Sequence, residues 1–476
     1  MLDFVELNPT SRKQPYERFV QRLSKFKHLA SIYILIIFFI PNAVSVLNVP
    51  GIPLISIKRV YIVLWFLIFL LLLLGSKKMV KEILAYPFLG PIAVVLAASL
   101  LVTFFADNFM TSLQRSIALT ADTFLPAIII WASYKKHQDI ANILNLLITI
   151  FVVISLYGIF AYTVSHNPVL DFVNTHFLSE SDRTLIYTYE GKERFGMVGR
   201  AQSIFAHPIQ YGCFLVVMMF VTLISYSKQT LANKSLKVLG LAVMTVALFQ
   251  TNSRSPLAFA FAGLGVFWFF KGAGKKAILI CLGGLAAIFI LAYTTATNNN
   301  APVSLLVSLF QELSGSPTEA GGSSLAMRLN QFRISALLFS EHPVVGHGLA
   351  TVREMIQSKS IPHGLAAAES FLFILMIEAG LVGILAYIFF FYKQVLFFLK
   401  TKHKSKNIYL KNISIICLSV IYGYLAFILM TGIVGTLELF IIITTLFARY
   451  IYLKSKEVTV FRERELAGKV ENSCGK

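Results

Sequence analysis

Arg200 and Arg254 are the residues of this chain whose type and setting most directly offer chemistry. Arg200 lies in Gly199-Arg200-Ala201-Gln202-Ser203-Ile204-Phe205-Ala206-His207-Pro208, and Arg254 in Thr251-Asn252-Ser253-Arg254-Ser255-Pro256, a short polar gap between two apolar runs. A guanidinium stays charged and presents a planar fork of donors that matches phosphate oxygens bidentately. Helices expected to begin at Ser203 and Ser255 would turn the positive ends of their dipoles the same way. Set among Gly, Ser and His-Pro residues instead of aromatic anchors, the pair reads as a seat for an anion. A single arginine of this kind would equally serve to anchor a helix end at a membrane interface.

The elements that must position these side chains are membrane helices. The chain is 57% hydrophobic and only 14% charged. Its apolar runs fall at about 30–49, 59–75, 86–106, 116–134, 139–164, 203–225, 236–251, 255–271, 276–297, 369–399, 410–430 and 432–452. Runs near 20 residues match a bilayer core of roughly 30 Å. The expected fold is therefore all-α, a polytopic membrane protein of about twelve transmembrane helices. The formal charge of +19 does not point to nucleic acid, because basic residues gather at cytoplasmic membrane ends. None of the four cysteines has zinc-like spacing, and no disulfide framework, metal site or cofactor is expected. The basic stretch before the first run is long for a signal peptide and reads as a cytoplasmic tail before an uncleaved helix.

Charge sets the orientation. Alternate loops carry Lys77, Lys78 and Lys81, then Lys135 and Lys136, then Lys228, Lys234 and Lys237, then Lys271, Lys275 and Lys276, and then a run including Lys400, Lys402, Lys404 and Lys406. With these loops inside, both termini are cytoplasmic and Arg200 and Arg254 face outward. Lys58 and Arg59 are the main exception to the rule. The expected organisation is a cytoplasmic tail at 1–29, nine helices with an outer loop at 165–202 within 30–297, a large outer loop at 298–368, three helices within 369–452, and a cytoplasmic tail at 453–476. In the large loop Leu325, Leu329, Phe332, Ala336, Leu337 and Leu338 recur at helical spacing. They predict an amphipathic helix that either lies on the membrane surface or packs on the bundle. The intramembrane carboxylates Asp122, Glu378 and Glu438 are expensive in lipid, so they mark either an outer cavity or a proton pathway.

Four segments together resemble the family of O-antigen ligases and O-antigen or exopolysaccharide polymerases of bacterial envelopes. They are Arg200 to Gly212, Asn252-Ser253-Arg254-Ser255, Met327 to Arg333 continuing into Glu341-His342-Pro343-Val344-Val345-Gly346-His347-Gly348, and Glu369-Ser370-Phe371-Leu372 leading to Glu378-Ala379-Gly380. The resemblance is strongest from about 195 to 385; the first five runs match only in hydropathy. It implies a metal-independent, integral-membrane glycosyltransferase of the bacterial cytoplasmic membrane, working on the periplasmic or outer face. The donor would be a glycan on undecaprenyl diphosphate and the acceptor a glycan or lipid.

On that resemblance Arg200 and Arg254 would hold the diphosphate, with Arg328, Arg333 and His207 as further substrate contacts. The acceptor base would be Glu369 or His363, since the His-Asn expected of a ligase is replaced by Ala368-Glu369-Ser370. That replacement favours polymerase over ligase. A chain-length regulator would be a partner of a polymerase. A polysaccharide flippase or transporter is the reading from another class, against which stands the lack of two pseudo-symmetric halves.

Overall fold

A computed structural model describes residues 13–40, 45–47, 55–74, 76–177, 193–194, 197–224, 231–272, 325–358, 369–432 and 435–474. The described chain is helical apart from two short antiparallel ladders, β1 (Ser45–Leu47) with β2 (Ile55–Ser56) and β3 (Glu193–Arg194) with β4 (Met197–Val198). The helices are α1 (Lys13–Phe39), α2 (Ile57–Leu74), α3 (Lys77–Leu84), α4 (Leu89–Phe104), α5 (Phe109–Leu119), α6 (Leu125–Ser133), α7 (His137–Thr163) and α8 (Pro168–Phe177). After the second ladder come α9 (Pro208–Thr222), α10 (Leu231–Gln250), α11 (Arg254–Phe270), α12 (Leu325–Glu341), α13 (Thr351–Ser358), α14 (Phe371–Lys404), α15 (Ile408–Met430) and α16 (Leu437–Cys474). A π-helical turn, Thr120–Phe124, joins α5 to α6. α11 packs along α15, α15 along α14, and α14 along α4, while α7 packs against α10.

Among the described residues, α2, α5–α6, α7, α14 and α15 are long and apolar enough to cross a membrane. α3 and α4, bent by 81°, make a sixth crossing if they form one span. Four further apolar helices, Phe26–Phe39, Pro208–Thr222, Ser235–Gln250 and Arg254–Phe270, have at most 17 residues. The expected run at 276–297 lies outside the described residues. Several runs are cut shorter than expected, for identifiable reasons. α1 ends at Phe39, just ahead of Pro41, because a proline drives the residue before it out of the helical region. α9 starts at Pro208, five residues later than Ser203, with proline in the first helical position where its missing N–H is not needed.

Polar contacts collect at two ends of the bundle. One end is rich in lysine: Lys27 pairs with Asp139 (2.9 Å), Lys135 pairs with Glu82, and Lys271 donates to Asn412 Oδ1 (2.7 Å). Arg449 is buried there, donating to the Tyr134 carbonyl (2.8 Å) and lying over the Trp131 ring. The opposite end holds the starts of α2, α9, α11, α14 and α16.

α14 is not one continuous helix. Gly380 has φ 56° and ψ −154°, which interrupts the helical hydrogen bonds. The segment 343–348 restores them: Leu381 and Val382 amides donate to the Pro343 and Val344 carbonyls at 2.9 and 3.0 Å. In return the Ile377 and Glu378 carbonyls accept from the His347 and Gly348 amides at 2.9 and 3.0 Å. This exchange explains why His-Pro-x-x-Gly-x-Gly and Glu-x-Gly occur together. A Cβ on Gly346 would lie 2.5 Å from the Ala379 nitrogen, and one on Gly380 2.7 Å from the Val344 carbonyl carbon.

α12 packs against α14, burying only part of the expected face. Ile334 and Leu338 are buried against Val352 and Ile377, whereas Leu329 (60% exposed) and Leu337 (48%) are largely uncovered and Phe332 is half-exposed beside the Phe373 ring of α14 (5.8 Å between centres). The periodicity identifies the helix, but the buried Gln331 and Ser335 show that its packed face is partly polar, which an apolar count misreads.

Gly380→Ala should lower the thermal stability of the purified protein by at least about 2 kcal/mol, since its backbone region is nearly closed to other residues. Gly265→Ala, where a Cβ meets nothing within 4 Å, should be neutral or slightly stabilising. Equal melting temperatures for the two variants would contradict the exchange described here.

Candidate functional site

The strand of chain that carries Arg200 is held by α7, α8 and α10. Asn167 Nδ2 donates to the Ser203 carbonyl (2.7 Å), the Ser203 hydroxyl to the Ile154 carbonyl (2.8 Å), and the Ala201 amide to the Gln250 carbonyl (2.8 Å). Arg200 then reaches across to the turn between α10 and α11. Its Nε donates to the Thr251 carbonyl (3.2 Å), and an Nη donates to the Ser253 hydroxyl, which itself donates to the Thr251 carbonyl (2.9 Å). Asn252, at φ 49°, supplies the left-handed residue that this turn needs, a conformation Asn tolerates better than most. The next residue but one, Arg254, is the first of α11.

The two arginines that stand out in the sequence are thus joined through one three-residue turn, although 54 positions separate them. Both are buried, at 5% and 7% exposure. Burial raises the worth of any charge-assisted bond they make to an anion. Ser253 stands at the cap position of α11 but gives no side-chain bond to its first turn; its oxygen faces Arg200 instead. The helix begins at Arg254 and not at Ser255, and Ser203 sits in a turn at φ 51° and not at a helix start. His207 is the cap of α9, its Nδ1 accepting from the Ile209 amide (3.1 Å).

A cavity of about 740 Å³ lies at the same end, between α2, α4, α5, α13, α14 and the start of α16. Arg200, Arg254 and His207 do not line it; Gly435 at its edge does, and that carbonyl lies 3.5 Å from Gln210 Nε2 in the first turn of α9. Four cations, Lys58, Arg59, Arg115 and Arg353, and four carboxylates, Asp122, Glu354, Glu378 and Glu438, line it, so the formal charges of the wall balance. Most of these groups are already held. Lys58 Nζ and the Tyr33 hydroxyl donate to Glu438 at 2.6 and 2.7 Å, and Arg59 forks onto both oxygens of Asp122 at 2.6 to 3.2 Å. Glu378 accepts from the Val352 amide (3.3 Å) in the first turn of α13, where the helix dipole favours an anion.

Of the two residues considered as base, Glu369 does not itself line this cavity and His363 lies outside the described residues. The Glu369 amide donates to Gln331 Oε1 of α12 (3.4 Å), and Phe371, two residues on, lines the cavity. Arg328 stands one helical turn before Gln331 on α12, half-buried, while Arg333 is exposed on the other side of that helix. The structure therefore joins Arg200 to Arg254 and sets Arg328 on the same α12 face as Gln331, but does not bring Arg333 to them. Sequence reasoning does not find Lys58, Arg59 and Arg115 as cavity residues. A signal exists for the first two: a basic pair at the wrong end of a span, the same anomaly that picks out Arg200 and Arg254.

These features define an integral membrane protein with a buried arginine pair and a charge-balanced cavity at one end of its helices. Residues 239–388, about a third of the chain, match the family model described as O-Antigen ligase. That match supports placing the chain in the O-antigen ligase and polymerase family, and the matched segment holds Arg254, the Gly346 and Gly380 exchange, and Glu369. No curated protein matches the chain.

Gly212 allows α9 to meet the first turn of α11, for a Cβ there would lie 2.6 Å from Pro256 Cγ and 3.3 Å from Thr251 Oγ1. Gly212→Ala should destabilise the protein by about 1–3 kcal/mol through overpacking. Adding Pro256→Ala should recover much of this in a thermal melt. Additive losses in the double variant would show that the contact does not set the position of α11.

Proposed function

We propose that this protein is a twelve-helix membrane glycosyltransferase of the bacterial cytoplasmic membrane, with both termini cytoplasmic and its site on the extracytoplasmic face. Its donor is a glycan on undecaprenyl diphosphate. The single observation that carries this reading is the turn 251–253, which holds the Arg200 guanidinium and delivers Arg254 from the next position. Two buried guanidiniums at the start of a helix suit a diphosphate better than a single carboxylate or phosphate. The lysine-rich end of the bundle faces the cytoplasm by the positive-inside rule, which turns the arginines outward.

In the reaction the acceptor hydroxyl gives its proton to a base, its oxygen forms a bond to the anomeric carbon, and the bond from that carbon to the diphosphate oxygen breaks. Negative charge grows on the departing diphosphate, where Arg200 and Arg254 stabilise it. Glu369, two residues before the cavity-lining Phe371, is the base favoured here, with His363 as the other candidate. The cavity is the place for sugar. Its balanced charges and its Ser99, Thr111, Gln114 and Tyr387 side chains offer donors and acceptors without a net field, which suits a glycan more than a diphosphate. Arg328, Arg333, His207 and a chain-length regulator are lesser elements of the same proposal.

Polymerisation of repeat units is the favoured reaction, because Glu369-Ser370 stands where a ligase would carry His-Asn. Transfer to a lipid A core or another envelope acceptor is the second reading. A flippase or transporter is less well supported, since Asp122, Glu378 and Glu438 each already have a fixed cation or amide partner.

Arg200→Ala and Arg254→Ala should each lower glycan transfer by about 10²–10³-fold, the usual loss on removing one such donor, with unchanged membrane insertion. The assay is purified protein with a lipid-diphosphate repeat unit. Chain growth without added acceptor identifies a polymerase, and transfer only onto a core lipid a ligase. Full activity in either arginine variant would sink the proposal.

A further inference from the structure

Asp107, His342 and His347 come together where the α4–α5 connection meets the segment that follows α12. One potential ligand atom from each lies within 4.8 Å of the other two. His347 is buried, whereas Asp107 and His342 are exposed. His347 Nδ1 is 2.9 Å from Asp107 Oδ2, and the two imidazole rings lie 4.5 Å apart, centre to centre. No spacing or motif announces this cluster, because Asp107 is 235 positions from His342.

We propose that these three residues form a site for a divalent transition-metal ion of the zinc type. Two imidazoles and a carboxylate are a ligand set that zinc accepts, with bonds of about 2.0–2.2 Å. At those bond lengths ligand atoms stand about 3.3 Å apart. The His347–Asp107 separation is already close to that, and the exposed His342 and Asp107 side chains can rotate to close the rest. The second observation is the other face of His347. Its Nε2 lies 3.1 Å from the Leu338 carbonyl, an acceptor, so Nε2–H donates there and Nδ1 is the ring nitrogen turned toward Asp107; the proton that Nδ1 and the carboxylate share at 2.9 Å is the one a metal ion would displace. Histidines that bind metals usually donate their other ring N–H to a carbonyl or carboxylate in this way, which fixes the tautomer. Glu341 Oε2, 3.7 Å from Nε2, reinforces that arrangement.

The backbone supporting the site is rigid. The Asp107 amide donates to the His347 carbonyl (3.0 Å), and the His347 amide donates to the Ile377 carbonyl at the break in α14 (2.9 Å). Immediately beyond, the Leu349 amide donates to Ser112 Oγ (3.0 Å), and Asn108 Nδ2 to Glu354 (2.9 Å). Leu349, Ala350, Arg353 and Glu354 line the cavity. A metal here stitches the α4–α5 connection to the cavity rim and stands apart from the transfer chemistry, so the inference does not depend on the function proposed above.

The test uses the full-length protein in detergent, with any polyhistidine tag removed and adventitious metal stripped by chelator. Zinc binding is measured by elemental analysis after dialysis, and Co²⁺ is added as a spectroscopic probe. The wild type should hold one zinc per chain and give the visible absorption of tetrahedral Co²⁺. Loss of even an outer partner weakens metal sites by about 10–100-fold, so His342→Ala and Asp107→Ala should each weaken zinc at least tenfold and abolish the cobalt bands. His166→Ala, at the separate exposed pair with Asp171, should change neither. Because the His342 side chain is exposed, His342→Ala should melt as the metal-free wild type does, and zinc should raise the melting temperature of the wild type alone. No stoichiometric zinc in the wild type, or equal binding in His342→Ala, would overturn the proposal.

Discussion

Inside a bilayer a backbone amide or carbonyl has no water to turn to, so a helix can be interrupted only where other protein groups take up its hydrogen bonds. Both polar regions of this molecule are built on such interruptions. At Gly380 the segment 343–348 exchanges four backbone bonds with the broken helix. At the turn 251–253 the chain stops one helix and starts the next within three residues, and the Arg200 guanidinium takes the carbonyl and hydroxyl oxygens that the turn exposes. Both candidate polar sites rest on these repairs. The first sets the start of α13, the Glu378 contact and the cavity rim; the second holds the Arg200 guanidinium and starts α11 at the buried Arg254.

The same constraint accounts for helices that are shorter than their hydropathy. α9 begins at Pro208, five residues into its apolar run, because the residues before it are held by the Asn167, Ile154 and Gln250 contacts that seat Arg200. Charges at this end are arranged in two distinct ways. Around the cavity, cations and carboxylates stand in equal number, four of the eight groups joined in two ion pairs. At the arginine turn, Arg200 donates to a backbone carbonyl and a hydroxyl. A balanced wall fits a neutral, hydroxyl-rich ligand, and a buried guanidinium pair fits a concentrated anion. A sugar linked to a diphosphate has one part for each.

Much of this is legible in the order of residues alone. Hydropathy locates the helices, and the charge rule isolates Arg200 and Arg254, because a cation at the wrong end of a span is anomalous in a single sequence. Applied evenly, the same rule raises Lys58 and Arg59, whose carboxylate partners Glu438 and Asp122 sit 380 and 63 positions away. The His-Pro-x-x-Gly-x-Gly and Glu-x-Gly segments are visible as strings, but their meaning is a backbone exchange that no periodicity encodes. The packed face of α12 escapes an apolar count because Gln331 and Ser335 are buried by polar contacts to α14 and to their own helix, not by hydrophobicity. The grouping of Asp107 with His342 and His347 depends wholly on tertiary folding.

Binding of the leaving group is the most direct measure of what Arg200 and Arg254 do, since it requires neither acceptor nor base. Purified protein should bind a polyprenyl diphosphate more tightly than the corresponding monophosphate, with an affinity that falls as salt rises. Arg200→Ala and Arg254→Ala should each remove that preference, and Glu369→Gln should leave it intact. Equal affinity for diphosphate in the wild type and both arginine variants would contradict the seat assigned to them.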